Sequence, residues 1–258
     1  MRAYAHPALL SSRPTPSLTR MRARLPDGGA TTLHVAAFPL AAVEVRVARL
    51  SGQESLVRWC RRTGAAHAIV GGFFLRPGNA PLGELRIAGA PVEHVPFAAP
   101  WGAERACVQV TRGAVTIARR PDLTASTGEL LQAGPLLVRD GASAITDADD
   151  EGFSAGAHQF DSDISDGRHP RCALALTAEH LLAVACDGRH ATEAGLTLGE
   201  LADALVGLGA RSALNLDGGG SASLVCDGEL VNRPREMHGV ELLEGRRIAT
   251  ALALALAA

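Results

Sequence analysis

The run from Ser212 to Val225, Ser-Ala-Leu-Asn-Leu-Asp-Gly-Gly-Gly-Ser-Ala-Ser-Leu-Val, constrains this chain more than any other stretch. It opens with the alternation of a half-buried strand, breaks at three consecutive glycines, and resumes as a second apolar run. Asp217 stands at the strand end, where side chains are held rigidly. Gly218, Gly219 and Gly220 carry no Cβ, so a ligand could approach their backbone closely. Ser221 and Ser223 follow with hydroxyls. Two readings stay open: a polar-ligand site at a strand end, or a tight hairpin that needs positive φ.

The chain of 258 residues is long enough to bury one large core, and no linker or internal repeat divides it. A net charge of −2 gives no global pull toward nucleic acid or anionic lipid, so neither is expected as a partner. All 25 basic residues are Arg. The absence of lysine excludes a Schiff base and a Walker lysine, and leaves guanidinium forks or backbone N–H groups to bind an anion. Aromatic content of 3% argues against a stacking platform for bases or long glycans.

Cys60, Cys107, Cys172, Cys186 and Cys226 form no C-x-x-C pair and are odd in number. Four lie in apolar, strand-like runs and read as buried free thiols in a reducing compartment. Met1 to Met21 lacks the apolar core of a secretory signal, which gives a cytoplasmic expectation. Ile248 to Ala258 is too short to span a bilayer and reads as a final buried strand.

Residues 1–28, rich in Arg, Pro and Ser, read as a poorly ordered arm or an edge segment, and 29–258 as the folded domain. Thr31 to Leu50 alternates like a half-buried strand region. Glu54 to Thr63 has helical spacing, with Gly64 as its stop. Strands are expected over Ala66 to Phe74 and Leu131 to Arg139, and hairpins over 106–118 and 171–186. Pro77 to Pro100 is turn-rich. Thr146 to Gly167 reads as a long acidic loop. Thr197 to Leu208 is the clearest helix: Thr197 and Glu200 form a capping box, Leu198, Leu201, Leu205 and Leu208 share a face, and Gly209 ends it.

Three strand ends set polar groups beside glycine: Gly71-Gly72, Asp187-Gly188-Arg189 and Asn215-Leu216-Asp217-Gly218. Such ends, gathered in one mouth, build sites in sheet proteins. Asp187 and Asp217 could supply a carboxylate pair for glycosyl chemistry. Arg171 and Arg189 could bind a phosphate bidentately. The competing reading makes each aspartate a turn carboxylate and Arg189 a solvated residue. His169, which precedes Pro170, reads equally as an acid or base and as a structural residue. Gly219-Gly220-Ser221-Ala222-Ser223 lacks the final glycine of Gly-x-Ser-x-Gly, and no helix pattern follows Gly218–Gly220 as a dinucleotide fingerprint requires.

Asn-Leu-Asp-Gly-Gly-Gly-Ser at 215–221, Gly-Gly-Phe-Phe at 71–74, Gly-Pro-Leu-Leu-Val at 134–138, His-Pro-Arg at 169–171 and Asp-Gly-Arg at 187–189 occur in this order. In these the chain resembles the phosphodiester glycosidase family from roughly Val43 to Leu256, most densely from His169 to Pro234. The resemblance implies an α/β (α+β) single domain with a mixed, largely antiparallel sheet and few helices. It implies hydrolysis of a sugar-1-phosphodiester, N-acetylglucosamine-1-phosphodiester-like, at the glycosidic bond. Carried over, Asp217 and Asp187 would be the catalytic carboxylates, with His169 beside them. Arg171 and Arg189 would hold the phosphate. Asn215, Gly218, Gly219, Gly220, Ser221, Gly71, Gly72, Gly134 and Arg246 would shape the substrate pocket. Two departures stand out. Val70 replaces the family's Asn before the first Gly-Gly, which implies altered substrate or impaired catalysis, and Cys172 replaces a Thr.

Cleavage at carbon fits this residue set. Breaking the C1–O bond releases a phosphate monoester whose second pKa is about 6, so it leaves with little protonation when Arg holds its charge. Cleavage at phosphorus would expel a sugar alkoxide and normally calls for metals. Metal signatures are thin: Asp161-x-Asp163-x-Ser165 starts like a calcium loop, but Asp166 stands where glycine belongs. No cofactor is expected beyond a calcium ion that this loop leaves open. A sugar-phosphate binding module and a metal-dependent phosphodiesterase are the alternative readings.

Overall fold

The computed structural model describes residues 15–51, 53–124, 127–146, 151–152 and 167–257. Its main sheet orders seven strands as Ser17–Arg24, Ala30–Pro39, His180–Cys186, Arg171–Leu176, Ser212–Asn215, Leu136–Arg139 and Ala142–Ser143. A second sheet of five runs Ala114–Arg119, Ala106–Thr111, Glu129–Gln132, Leu85–Ile87 and Ala90–Pro91. A third, also of five, runs Glu229–Leu230, Leu224–Cys226, His67–Val70, Thr250–Leu256 and Val43–Arg49. Phe74–Leu75 and Ala80–Pro81 make a small ribbon. The ladders are antiparallel; a parallel pairing occurs at the isolated bridge Leu82–Val95. Two α-helices are described, α1 (Leu56–Thr63) and α2 (Leu198–Gly207). The fold is thus one mostly antiparallel β domain with few helices.

The central strands of the main sheet are buried on both faces, which explains why they read as nearly continuous apolar runs rather than as alternation. Cys172, Leu174, Leu181, Ala183 and Ala185 enter the core shared with the other two sheets. Their neighbours Ala173, Ala175, Leu182, Val184 and Cys186 face a second core, closed by α2 through Leu198, Leu201, Ala202 and Leu205. Thr197 caps this helix through the Glu200 N–H at 3.1 Å, and Glu200 returns the bond to the Thr197 N–H at 2.9 Å. α1 is capped by Ser55 and stopped by Gly64 at φ 76°. All five cysteines are buried and free.

Two expected strands end early. Ala66 to Phe74 leaves the third sheet after Val70, because Gly71 passes Thr250 where a Cβ would meet Oγ1 at 2.5 Å. Leu131 to Arg139 is two strands in different sheets, joined where the Asn215 N–H donates to the Pro135 carbonyl at 3.0 Å and the Gly134 N–H to the Asn215 carbonyl at 3.1 Å. Within the supposed arm, Ser17–Arg24 is an edge strand of the main sheet, and its exposed arginines discourage further edge pairing. Residues 1–14 and the acidic segment 153–166, with the calcium-like loop, lie outside the described residues. Among the described residues no helix is long and apolar enough to cross a membrane.

Leu201 anchors α2 in a closed core, whereas Thr197 acts only at the helix end. In urea titrations Leu201→Ala is expected to lower the unfolding free energy by about 2–5 kcal/mol and Thr197→Ala by about 1 kcal/mol. Equal losses would mean that the helix contributes little to that core.

Candidate active site

Asp217 follows the strand Ser212–Asn215 and is 8% exposed. Its position is fixed from both sides: the Leu216 N–H donates to the Cys172 carbonyl at 2.9 Å and the Asp217 N–H to the Gly71 carbonyl at 3.0 Å. The tri-glycine is not a hairpin turn. The strands on either side of it belong to different sheets, and Gly219–Ser221 forms a short 3-10 turn between them. Backbone lies tightly against Gly218, and charged side-chain ends lie against Gly219 and Gly220. A Cβ at Gly218 would meet the Pro170 carbonyl oxygen at 2.8 Å, and one at Gly220 would meet Arg246 Nη2 and Glu236 Cδ at 2.9 Å each. The bare backbone is therefore filled by the protein's own charged side chains.

These groups line a cavity of about 190 Å³. Four guanidiniums, those of Arg76, Arg171, Arg189 and Arg246, share it with the carboxylates of Asp217 and Glu236. His169, Pro170, Asn215, Leu216, Met237 and Gly218–Gly220 complete the lining. Arg171 is 2% exposed and donates to the carbonyls of Leu196 (3.0 Å) and Gly167 (3.2 Å), which aims it. Arg189 sits at φ 56°, a left-handed conformation that costs a non-glycine residue roughly 1–2 kcal/mol. Its Nη1 donates to the Arg235 carbonyl at 3.3 Å, and Nη2 lies 3.5 Å from His169 Nδ1. Arg246 Nε donates to Glu236 Oε1 at 2.9 Å, and a second bond joins Nη2 to Oε2.

The two carboxylates are driven apart electrostatically. Burial pushes Asp217 up to about 6, against the Ser221 hydroxyl, the Gly218 N–H and the charges of Arg246 and Arg76. Glu236 is held below the usual carboxylate range, chiefly by its hydrogen bonds to Arg246. A pair separated in this way can divide acid and base roles.

Of the residues expected from the sequence, His169, Arg171, Arg189, Asn215, Asp217, Gly218, Gly219, Gly220 and Arg246 line the cavity. Ser221 is buried beside Asp217. Gly71, Gly72 and Gly134 stand behind the wall: Gly71 holds the Asp217 N–H, the Gly72 N–H donates to Thr250 Oγ1 at 3.0 Å, and the Gly134 carbonyl accepts Asn215 Nδ2 at 3.0 Å. Asp187 is not a lining residue. It is 4% exposed, with Oδ2 3.1 Å from His34 Nε2 and Oδ1 accepting the Arg233 N–H at 2.7 Å. Glu236 and Arg76 escape sequence reading because they lie in irregular segments that no periodicity or glycine signal marks. Among the described residues no three His, Cys, Asp or Glu side chains gather to hold a metal ion.

The raised Asp217 carboxyl carries a stability consequence. An unfolded Asp titrates near 3.9, so between roughly pH 4 and pH 6 the folded protein loses stability as Asp217 ionises. Asp217→Asn is thus expected to be more stable than wild type at pH 8, by up to about 3 kcal/mol, with the gap closing below pH 4. Urea titrations at the two pH values test this; a gap that is absent or reversed at pH 8 would contradict it.

Comparison with known proteins places the chain among relatives. The phosphodiester glycosidase family model matches residues 63–255. A search of curated proteins found no match. The catalytic domain of zebrafish N-acetylglucosamine-1-phosphodiester alpha-N-acetylglucosaminidase, auto-inhibited by its pro-peptide, has a similar structure. Its TM-score is 0.71 at 21% identity, over 95% of this chain and 84% of that one. A hypothetical protein from Synechocystis matches with a TM-score of 0.64 at 19% identity, over 92% of this chain and 61% of that one. At these identities the likeness concerns the fold. Three quarters of the chain fit the family model, and the chain belongs to the phosphodiester glycosidase family.

Proposed function

We propose that the protein hydrolyses the glycosidic bond of a sugar-1-phosphodiester, with N-acetylglucosamine as a first sugar to test. The reading rests on one observation: four guanidiniums and a buried carboxylate pushed up to about 6 share one cavity. The diester carries one negative charge. Breaking its C1–O bond places a second on the departing phosphate monoester, so charge grows on phosphate oxygens in the transition state. Preorganised cations there stabilise the transition state more than the ground state. Arg171 and Arg189 take this role, with Arg76 as a third guanidinium.

The leaving phosphate needs little proton donation, so the carboxylate work falls on the water or on C1. Asp217 suits it. A base is most effective with a pKa near the working pH. Glu236 is tied to Arg246 by two hydrogen bonds and is the weaker base. Asp217 thus activates water or attacks the anomeric carbon, while the Glu236–Arg246 pair shapes the wall. Val70, which replaces the family's Asn, is fully buried in the core and outside the cavity lining.

The test is hydrolysis of a panel of sugar-1-phosphodiesters in ¹⁸O-labelled water. The expected label is in the sugar; label in the phosphate would mean attack at phosphorus. Asp217→Asn should fold and lose about 10²–10⁴-fold in kcat/KM. Wild-type kcat/KM should fall as pH drops through about 6, where Asp217 gains its proton. A rate that instead falls above that pH would make Asp217 the acid. No turnover with retained phosphate binding would favour a binding module.

A further inference from the structure

The segment between Glu236 and Arg246 carries exposed apolar side chains that the charge chemistry does not use. Among the described residues five large hydrophobic side chains are exposed. Three of them, Met237 (55%), Val240 (60%) and Leu243 (86%), fall between Glu236 and Arg246, both of which line the cavity. Single exposed hydrophobic residues are ordinary, but three within one seven-residue segment flanked by charged residues point to a binding surface. The segment is not loosely held. Residues 235 and 241 form an antiparallel bridge, reinforced by the ion pair of Arg235 Nη2 with Glu241 Oε2 at 3.0 Å. The Glu236 N–H donates to the Val240 carbonyl and the Leu242 N–H to the Pro234 carbonyl, both at 2.9 Å. Arg235 also donates to the Gly188 carbonyl at 3.3 Å, which ties the hairpin to the Arg189 loop. Met237 belongs to both cavity and rim, so the two surfaces are continuous there.

We propose that this rim receives the alcohol half of the phosphodiester, and that this half is apolar, an alkyl or aryl group rather than a second sugar. The inference rests on the phosphodiester reading above. A phosphate held on the arginines bonds to the sugar on one side and the alcohol on the other. One substituent occupies the pocket around Asp217, and the other must leave across the rim. Val240 and Leu243 there offer it hydrocarbon contact. Each methylene such contact removes from water strengthens binding by about fourfold.

Calorimetry of the full chain with octyl phosphate and methyl phosphate, below micelle-forming concentrations, tests the proposal without requiring turnover. Octyl phosphate is expected to bind at least about tenfold more tightly than methyl phosphate. In the double variant Val240→Ser/Leu243→Ser that ratio should fall to within about twofold. Equal affinities in the wild type, or a ratio that survives in the double variant, would overturn the proposal. Self-association of the wild type that the double variant loses, with a ratio near one, would assign the rim to a second copy and also overturn it. The ¹⁸O experiment separates the two readings. A high ratio without glycosidic cleavage removes the hydrolase and leaves the apolar rim, whereas cleavage with a ratio near one removes the rim alone.

Discussion

The backbone from Leu216 to Gly220 is pressed against three neighbouring segments at once, and the site depends on that contact. It hydrogen-bonds the Cys172 carbonyl of the main sheet, the Gly71 carbonyl at the end of a third-sheet strand, and the Pro170 carbonyl, at 2.8–3.0 Å. At Gly218 the chain lies closer to the Pro170 carbonyl than a side chain would permit, which accounts for the glycine there. The same junction joins two sheets. Gly71 can reach Asp217 because its own strand ends against Thr250, in a space too small for a Cβ. The cavity thus forms where sheet pairing stops, and residues from both sheets are delivered to it by backbone hydrogen bonds rather than by mobile loops alone.

That geometry sets charge where the fold does not want it. Asp217 is buried beside one backbone donor and loses solvation, which is why its carboxyl titrates late. The guanidiniums oppose this shift without cancelling it. Four of them face two carboxylates, so the cavity keeps an excess of positive charge even with both acids ionised. The excess would be offset by an anionic ligand. Because every basic residue in the chain is Arg, these cations stay protonated at any working pH and present planar forks. Site strength and fold stability therefore oppose each other at Asp217, as is common where function requires an unfavourable residue.

Much of the fold was legible in the sequence because its signals are local. The capping box at Thr197, the αL stop at Gly64 and the hairpin of 171–186 depend on residues within one element. The breaks at Val70 and near Gly134 were not legible, because each is set by a partner distant in sequence, Thr250 in one case and Asn215 in the other. A run of apolar residues looks the same whether it stays in one sheet or crosses between two. The site divides in the same way. Residues flanking glycines at strand ends were visible, while Glu236 and Arg76 were not, since only the folded chain brings them to Gly220 and Asp217.

Asp187 matches Asp217 in sequence context but not in placement, for it lies outside the cavity lining. Like Asp217 it ends a strand and precedes a glycine, and sequence cannot separate the two. Packing does. Asp217 faces the cavity, whereas both oxygens of Asp187 are committed, one to His34 of the neighbouring strand and one to the Arg233 N–H. Two segments hang from that carboxylate: Gly188-Arg189, which brings a guanidinium against Gly219, and the chain from Arg233 into the hairpin that carries Glu236. The Gly188 carbonyl and Arg235 close the link between them. A buried carboxylate with both oxygens engaged is a stiff joint. Asp187 and the Arg235–Gly188 bond therefore tie the Arg189 loop to the segment that leads into Glu236.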